Sequence, residues 1–440
     1  MMERIILAGG GTGGHLFPGI AIMEELRRRE PALDVLFVGT ARGIETKVVP
    51  QLGERLACLD VTPLKGRTPT ELVKSLAALP QAGLEAARLV RQFRPNLVLG
   101  VGGYAAGPMV LAARTLGVKT ALLEQNAHVG LTNRLLAHVV GRAYLSFEET
   151  AKLFPARSAR VFGNPVRRSF VTTGTMARVD PLGFEMRARR VLVVGGSQGA
   201  KVLNELVPEA LAQAKLGDLG IEIVHQTGHA MCESVRAHYA RLGLSATVTP
   251  FIEDMARAYA SAALVIGRAG ATSLAEICAV GRPSLLIPFP FAADDHQWHN
   301  AHALETRGAA LAVREPGLTA SDLAEKVAGL LADPARRRAM AEAARGLGRP
   351  DAAAAIVDDL WEWLGYAGQD EASEDLAGGT DLVLDEPEPG HGSERRALIG
   401  QFPPDAVQRM ATARRRVRRR SLAWSHTDLY YGTKAIAALE

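Results

Sequence analysis

The sequence predicts an α/β protein of two doubly wound domains that face each other across a cleft. Three observations carry this. Residues 5–20 read as a short apolar strand (Ile5 to Ala8), a turn with glycine at 9, 10, 11, 13 and 14, and a helix beginning near Pro18. Residues 191–200, Val-Leu-Val-Val-Gly-Gly-Ser-Gln-Gly-Ala, repeat that strand, glycine turn and helix start. Short apolar strands alternate with helical stretches throughout, the pattern of a parallel sheet covered on both faces. A chain of 440 residues exceeds one ordinary core and suits two domains with an additional piece.

The first glycine turn invites an anion. Glycine lets backbone turn sharply or approach a ligand closely, and the N–H groups of the following helix start favour negative charge. Gly9, Gly11 and Gly14 fit the dinucleotide spacing G-x-G-x-x-G, which alone is weak. A nicotinamide enzyme would also want an acid at the end of the second strand for the ribose. Here Val35 to Val38 runs into Gly39-Thr40, and Asp34 precedes the strand. The turn instead carries Thr12 and His15. Histidine titrates near neutral pH and can take a proton from a hydroxyl; the plainer alternative is that His15 caps the helix.

Along the first half, Ile20, Met23 and Leu26 form a helical apolar stripe that ends in Arg27 to Arg29. Leu72, Val73, Leu76 and Leu79 mark another helix beside Lys65, Arg67 and Lys74. Strands at Leu97 to Leu99 and Ala121 to Leu123 end in Gly-Val-Gly-Gly-Tyr104 and Glu-Gln-Asn126. Ligands of such sheets collect at the carboxyl ends of strands. Thr12, His15, Tyr104 and Asn126 all fall there, and that convergence is the functional argument. Residues 164–189 read as a linker.

In the second half, strands are expected at Ile221 to His225, Leu264 to Ile266 and Ser284 to Ile287. Ser197 in the second glycine turn offers a hydroxyl beside helix-start N–H groups, a geometry shared by helix caps and phosphate sites. Glu276 lies one to two turns into a helix from Ala271, where a carboxylate can bridge ribose hydroxyls or simply face solvent. Gln297 and Asn300 share a helix face as neutral amides suited to sugar hydroxyls. His296, His299 and His302 recur at threes beside Asp294 and Asp295, but lack the i, i+4 spacing of a zinc helix and any supporting cysteine. No metal is expected. The last apolar helix is Asp351 to Leu364, with Trp361 and Trp363.

Composition narrows the class. Apolar residues make 48%, charged residues 22% and aromatics 5%, with a formal charge of +4. Cys58, Cys232 and Cys278 are far apart and suggest reduced thiols. The N-terminal apolar run is too short for a signal peptide. The longest uncharged stretch, Leu97 to Ala113, is broken by glycines and a proline and falls short of a spanning helix.

Six spaced segments together resemble one family. They are Gly-Gly-Gly-Thr-Gly-Gly-His-Leu-Phe-Pro-Gly, Gly-Gly-Tyr, Glu-Gln-Asn, Gly-Asn-Pro-Val-Arg, Gly-Gly-Ser-Gln-Gly-Ala and Asp-Asp-His-Gln-Trp-His-Asn-Ala. Their order resembles the MurG family of peptidoglycan N-acetylglucosaminyltransferases over roughly residues 1–365. The resemblance implies a GT-B fold of two Rossmann-like domains with a last helix crossing back to the first. It implies an acceptor and membrane-side domain at 1–163, a linker at 164–189, a UDP-sugar domain at 190–348, the crossing helix at 349–365 and an extension at 366–440.

The implied reaction is inverting transfer of N-acetylglucosamine from UDP-N-acetylglucosamine to lipid I, giving lipid II at the cytoplasmic membrane face as a peripheral protein. No cofactor, catalytic metal or nucleic acid is implied; an anionic membrane surface and cell-wall and division proteins are the further partners. By position, Thr12, Gly13 and Gly14 resemble a substrate-contacting loop and Asn126 a donor or cleft contact. Arg167 and Ile252 resemble nucleotide-side contacts and Ser197 the phosphate contact. Ala271, Thr272, Ser273, Leu274, Ala275 and Glu276 resemble the helix start around phosphate and ribose, and Gln297 with Asn300 the sugar contacts. His15, as general base, and Tyr104 resemble acceptor-side residues. His296 departs from the family, standing where some members have an amide. A UDP-N-acetylglucosamine 2-epimerase, a transferase with another lipid acceptor and a nucleotide-sugar sensor are the rival readings.

The extension differs in kind. Residues 368–388 hold eight acids and no Lys or Arg, and residues 409–420 hold seven arginines and no acid. Such blocks read as solvated arms, and a cationic one binds anionic lipid. If the arginine run supplements membrane binding, deleting residues 405–440 weakens sedimentation with anionic vesicles; unchanged sedimentation rejects that role.

Overall fold

A computed structural model of the chain describes residues 2–366, apart from 62–68, 180–188, 197 and 215–219 and the side chains of 69–79, 179 and 293. Ser197, Lys65 and Arg67, the side chains of Leu72, Val73, Lys74, Leu76 and Leu79, and the charged blocks beyond 366 lie outside the described residues.

The first half runs β1 (Arg4–Gly9), α1 (Gly13–Arg29), β2 (Asp34–Thr40), α2 (Glu45–Gln51), β3 (Arg55–Leu59), α3 (Pro69–Phe93) and β4 (Leu97–Gly102). It continues through α4 (Ala106–Thr115), β5 (Lys119–Glu124), α5 (Leu131–Leu136), β6 (Arg142–Leu145) and β7 (Ala159–Val161). All seven strands are parallel, in the order β3-β2-β1-β4-β5-β6-β7. After α6 (Arg168–Val179) the second half repeats the scheme: β8 (Arg190–Val194), α7 (Lys201–Gln213), β9 (Glu222–Gln226), α8 (Cys232–Arg241), β10 (Ala246–Thr249), α9 (Met255–Ala260) and β11 (Ala262–Gly267). Then come α10 (Ala271–Val280), β12 (Ser284–Leu286), α11 (His296–Glu305), β13 (Leu311–Ala312), α12 (Ala320–Ala332), α13 (Pro334–Leu347) and α14 (Ala352–Leu364). The second sheet is parallel in the order β10-β9-β8-β11-β12-β13.

Both sheets reverse direction beside their first strand, between β1 and β4 and between β8 and β11. Crevices for ligands open at such switch points. The period-two rule of strands sorts the cores: Ile5 and Leu7 pack on one face of the first sheet, Ile6 and Ala8 on the other. Val191 and Val193 oppose Leu192 and Val194 in the second sheet.

Two expectations change. Helix α1 begins at Gly13, five residues before Pro18, so the proline sits within the helix. Residues 164–189 contain α6, whose Phe170 is buried in the core of the second half. The strands β3, β6, β7, β10 and β13 also escaped the sequence reading.

Helix α14 packs back on the first half. Ala353, Ile356, Val357 and Leu360 join its core. Asp359 accepts hydrogen bonds from Arg142 Nε at 2.8 Å, Arg160 Nε at 3.0 Å and the Tyr144 hydroxyl at 2.8 Å. Trp363 lies under the cations of Lys119 and Arg142. Three donors on one mostly covered carboxylate make this the anchor of the helix. Asp359→Ala strands two guanidinium groups at a half-buried seam and is expected to destabilise the first half by about 2–3 kcal/mol. Thermal unfolding followed by tryptophan fluorescence checks it.

Candidate functional site at the cleft

The site begins where the β1 and β4 ends interlock. The β1–β4 register shifts between Ala8 and Gly9, setting Gly9 opposite Gly102. A Cβ on Gly9 would stand 2.0 Å from the Gly102 carbonyl oxygen, so only glycine permits the approach. Gly10 N–H then donates to that carbonyl at 3.1 Å. The His15 ring lies on the far side of Gly102, where an added Cβ would meet its Cδ2 at 2.5 Å. Burial pushes the imidazole below its ordinary value, with a backbone hydrogen bond to Gly10 and the charge of Glu45 opposing that shift and His296 adding to it. The ring is therefore neutral at pH 7 and able to accept a proton. Thr12 Oγ1 lies 3.4 Å from its Nδ1, and Tyr104 stands exposed beyond the same loop.

Pro18 shapes the meeting of the two halves. Having no N–H, it cannot bond the Gly14 carbonyl four residues earlier. That carbonyl instead accepts from Thr272 Oγ1 at 2.8 Å, in the first turn of α10. Two helix starts, α1 and α10, are thus held side by side across the cleft. Neither has a side-chain cap, and their dipoles present positive ends to the same space. Ala271, Ser273, Leu274 and Ala275 complete the first turns of α10.

Glu276 lies one turn further on, buried. Arg167 Nη2 donates to its Oε1 at 3.3 Å, while the guanidinium is stacked between the rings of Phe17 and Phe170 at 4.5 and 4.9 Å. Desolvation pushes the Glu276 carboxyl up to about 7 despite that cation. Arg167 Nε and Asn164 Oδ1 are buried without a hydrogen-bond partner. Ile252, three residues beyond β10, is partly buried against the core that holds Phe170 and Leu274.

The amides of α11 divide their work unexpectedly. Gln297 Oε1 accepts from Ala269 N at 3.3 Å and Phe289 N at 3.0 Å, fixing the β11 and β12 ends. Asn300 is completely buried. Its Oδ1 accepts from Ala127 N at 2.9 Å, and its Nδ2 donates to Asn126 Oδ1 at 3.3 Å and to the Ala269 carbonyl at 3.2 Å. The sequence spacing suggested a sugar contact; the structure makes Asn300 a staple between halves that positions Asn126. His296 faces His15, His299 stacks on His128 and His302 on Trp298, so the three histidines diverge. Among the described residues no group of three or more His, Cys, Asp or Glu is arranged to hold a metal.

Two carboxylates were given no role in the sequence reading. Glu124, buried, accepts from Asn126 N at 3.0 Å and Asn133 Nδ2 at 3.0 Å and so orients Asn126. Glu45 lies wholly buried behind the first glycine turn. The Glu-Gln-Asn segment drew attention to Asn126 rather than to the Glu124 that orients it; no local signal marks Glu45.

Comparison with known proteins agrees with this geometry. The model of the glycosyltransferase family 28 N-terminal domain matches residues 5–145, and that of the glycosyltransferase family 28 C-terminal domain matches residues 190–356. The UDP-N-acetylglucosamine–N-acetylmuramyl-(pentapeptide) pyrophosphoryl-undecaprenol N-acetylglucosamine transferase of Syntrophus aciditrophicus is 48% identical over 358 residues, covering 81% of this chain and 98% of its own length. The crystal structure of Acinetobacter baumannii MurG matches with a TM-score of 0.66 and 31% identity, over 82% of this chain and 99% of that one. The UDP-GlcNAc 2-epimerase from Neisseria meningitidis matches with a TM-score of 0.57 over 82% of this chain and all of that one; at 13% identity this is a likeness of fold alone.

The Glu276 carboxyl generates a stability test. Its folded value of about 7 exceeds the ordinary 4.5. The folded state then binds more protons between those values, so the group's contribution is complete below pH 4.5 and is lost as pH rises through about 7. Glu276→Gln removes this dependence. Between pH 5 and 7.5 the thermal midpoint of the wild type is expected to fall relative to that of E276Q, and parallel midpoints would reject the assignment.

Proposed function

This chain belongs to glycosyltransferase family 28 and, within it, to the MurG family; from that premise we propose that it moves N-acetylglucosamine from UDP-N-acetylglucosamine to lipid I, giving lipid II. The observation that supports this best is the pair of uncapped helix starts joined through Thr272 and Gly14, with His15 in the first turn of one. The pyrophosphate of a nucleotide sugar matches the positive ends of the helices. Glu276 would accept from the ribose hydroxyls, with Arg167 and Ile252 on the nucleotide side and Ser197 toward the phosphate. Gln297 retains an amide donor for the sugar, and Asn126, Thr12, Gly13 and Gly14 line the approach.

In the transfer step the C4 hydroxyl of the muramyl sugar attacks the anomeric carbon opposite UDP. The new carbon–oxygen bond forms as the bond to the β-phosphate oxygen breaks. The hydroxyl proton passes to neutral His15, and charge growing on the departing UDP is stabilised by the α10 start. Tyr104 stands on the acceptor side.

No helix among the described residues is long and apolar enough to cross a membrane. Leu84, Leu111, Leu131 and Leu135 are exposed on α3, α4 and α5, with Arg134 beside the last two. An apolar surface edged with positive charge suits the anionic cytoplasmic face, where the lipid acceptor resides.

Incubation with UDP-N-acetylglucosamine and a soluble lipid I analogue, without added metal, should release UDP and add one N-acetylhexosamine to the acceptor by mass. Donor conversion without acceptor would mark an epimerase, and binding without turnover a sensor. His15→Ala is expected to lower kcat by about 100-fold or more with UDP affinity retained. Near-normal turnover of H15A would transfer proton removal to water.

A further inference from the structure

Glu45 is the first residue of α2. Its side chain is completely buried. The carboxylate turns back beneath the first glycine loop, where Oε2 accepts from Gly11 N at 2.7 Å. Oε1 accepts from Thr40 N at 2.8 Å and from Thr40 Oγ1 at 3.1 Å. Three glycines from separate segments leave room for it. A Cβ on Gly10, Gly39 or Gly43 would come within 2.6, 2.6 and 2.0 Å of the Glu45 side chain. Among the described residues no cation pairs with it. A carboxylate buried without a counter-ion is destabilising unless its lone pairs are filled; here N–H and O–H donors fill them.

We propose that Glu45 is a positioning residue for glycosyl transfer, holding the Gly9–Gly11 turn through the Gly11 amide and thereby setting His15 against Gly102. The chain of contacts is short. Glu45 fixes Gly11, Gly10 N–H is tied to the Gly102 carbonyl, and Gly102 is the floor under the His15 ring. The charged and titratable groups that face that ring are Glu45 from α2 and His296 from α11, with opposite effects on its basicity. Glu45 also faces Cys58 across the β2–β3 pair. The carboxylate therefore does two things: it locks the loop, and it keeps the imidazole more basic than burial and His296 alone would leave it.

This inference rests on the reading of His15 as the base, so the test has a readout that needs no turnover. Glu45→Gln preserves size and removes charge; Glu45→Asp preserves charge and withdraws it from Gly11. The His15 imidazole is followed by NMR pH titration, assigned with His15→Asn, alongside kcat against pH and UDP affinity. In E45Q the His15 titration and the acidic limb of kcat are expected to move to lower pH, with UDP affinity within about twofold. In E45D the titration stays near the wild-type position while kcat falls about 10- to 100-fold, as for a small misplacement of a reacting group. A His15 titration unmoved in E45Q, or wild-type kcat in E45D, overturns the proposal. If E45Q does not fold, E45D alone decides. If the wild type shows no transfer while the E45Q titration still moves, the transfer reading fails and the electrostatic link stands.

Discussion

The whole arrangement depends on a hydrogen bond that a proline makes necessary. Pro18 deprives the Gly14 carbonyl of its helical partner. Thr272 supplies the missing donor from the other half of the molecule. A proline in α1 thus sets the position of α10. Asn300 reinforces the same seam by joining Ala127 and Asn126 to Ala269, and α14 fixes the chain's return on the first half through Asp359. Polar groups whose unmet hydrogen bonds would be expensive hold the cleft walls, which gives the site a defined width.

Much of this was legible in the chain. The two glycine turns announced themselves because the backbone there cannot carry side chains, a local demand visible in local sequence. Parallel strands buried on both faces read as short apolar runs, so β1, β4, β5, β8 and β11 were found. The expected convergence of Thr12, His15, Tyr104 and Asn126 rests on the rule that strand ends gather ligands, and of the four the structure pairs Thr12 with His15. What escaped depends on contacts between distant segments. Helix α1 was begun too late because Pro18 looks like a helix start, and only Thr272, more than 250 residues away, makes an internal proline comfortable. Asn300 shares a helix face with Gln297, yet the packing of the other half turns it from ligand contact to staple. Glu45 is an ordinary acid after a turn until β2 is laid beside β1.

The two helix starts that meet at the cleft, α1 after the first glycine turn and α10, differ in electrostatics. Behind the first lies Glu45, satisfied by N–H and O–H groups with no cation among the described residues. Behind the α10 start lies Glu276, answered by Arg167. An incoming diphosphate meets uncompensated negative charge at the first turn, whereas at α10 the guanidinium and the helix dipole together offset the acid. These two carboxylates make the two helix starts unequal as anion sites. On the proposed reading the donor diphosphate favours the α10 start, and the first turn suits a neutral hydroxyl next to a neutral imidazole, the pairing that proton removal from a sugar requires.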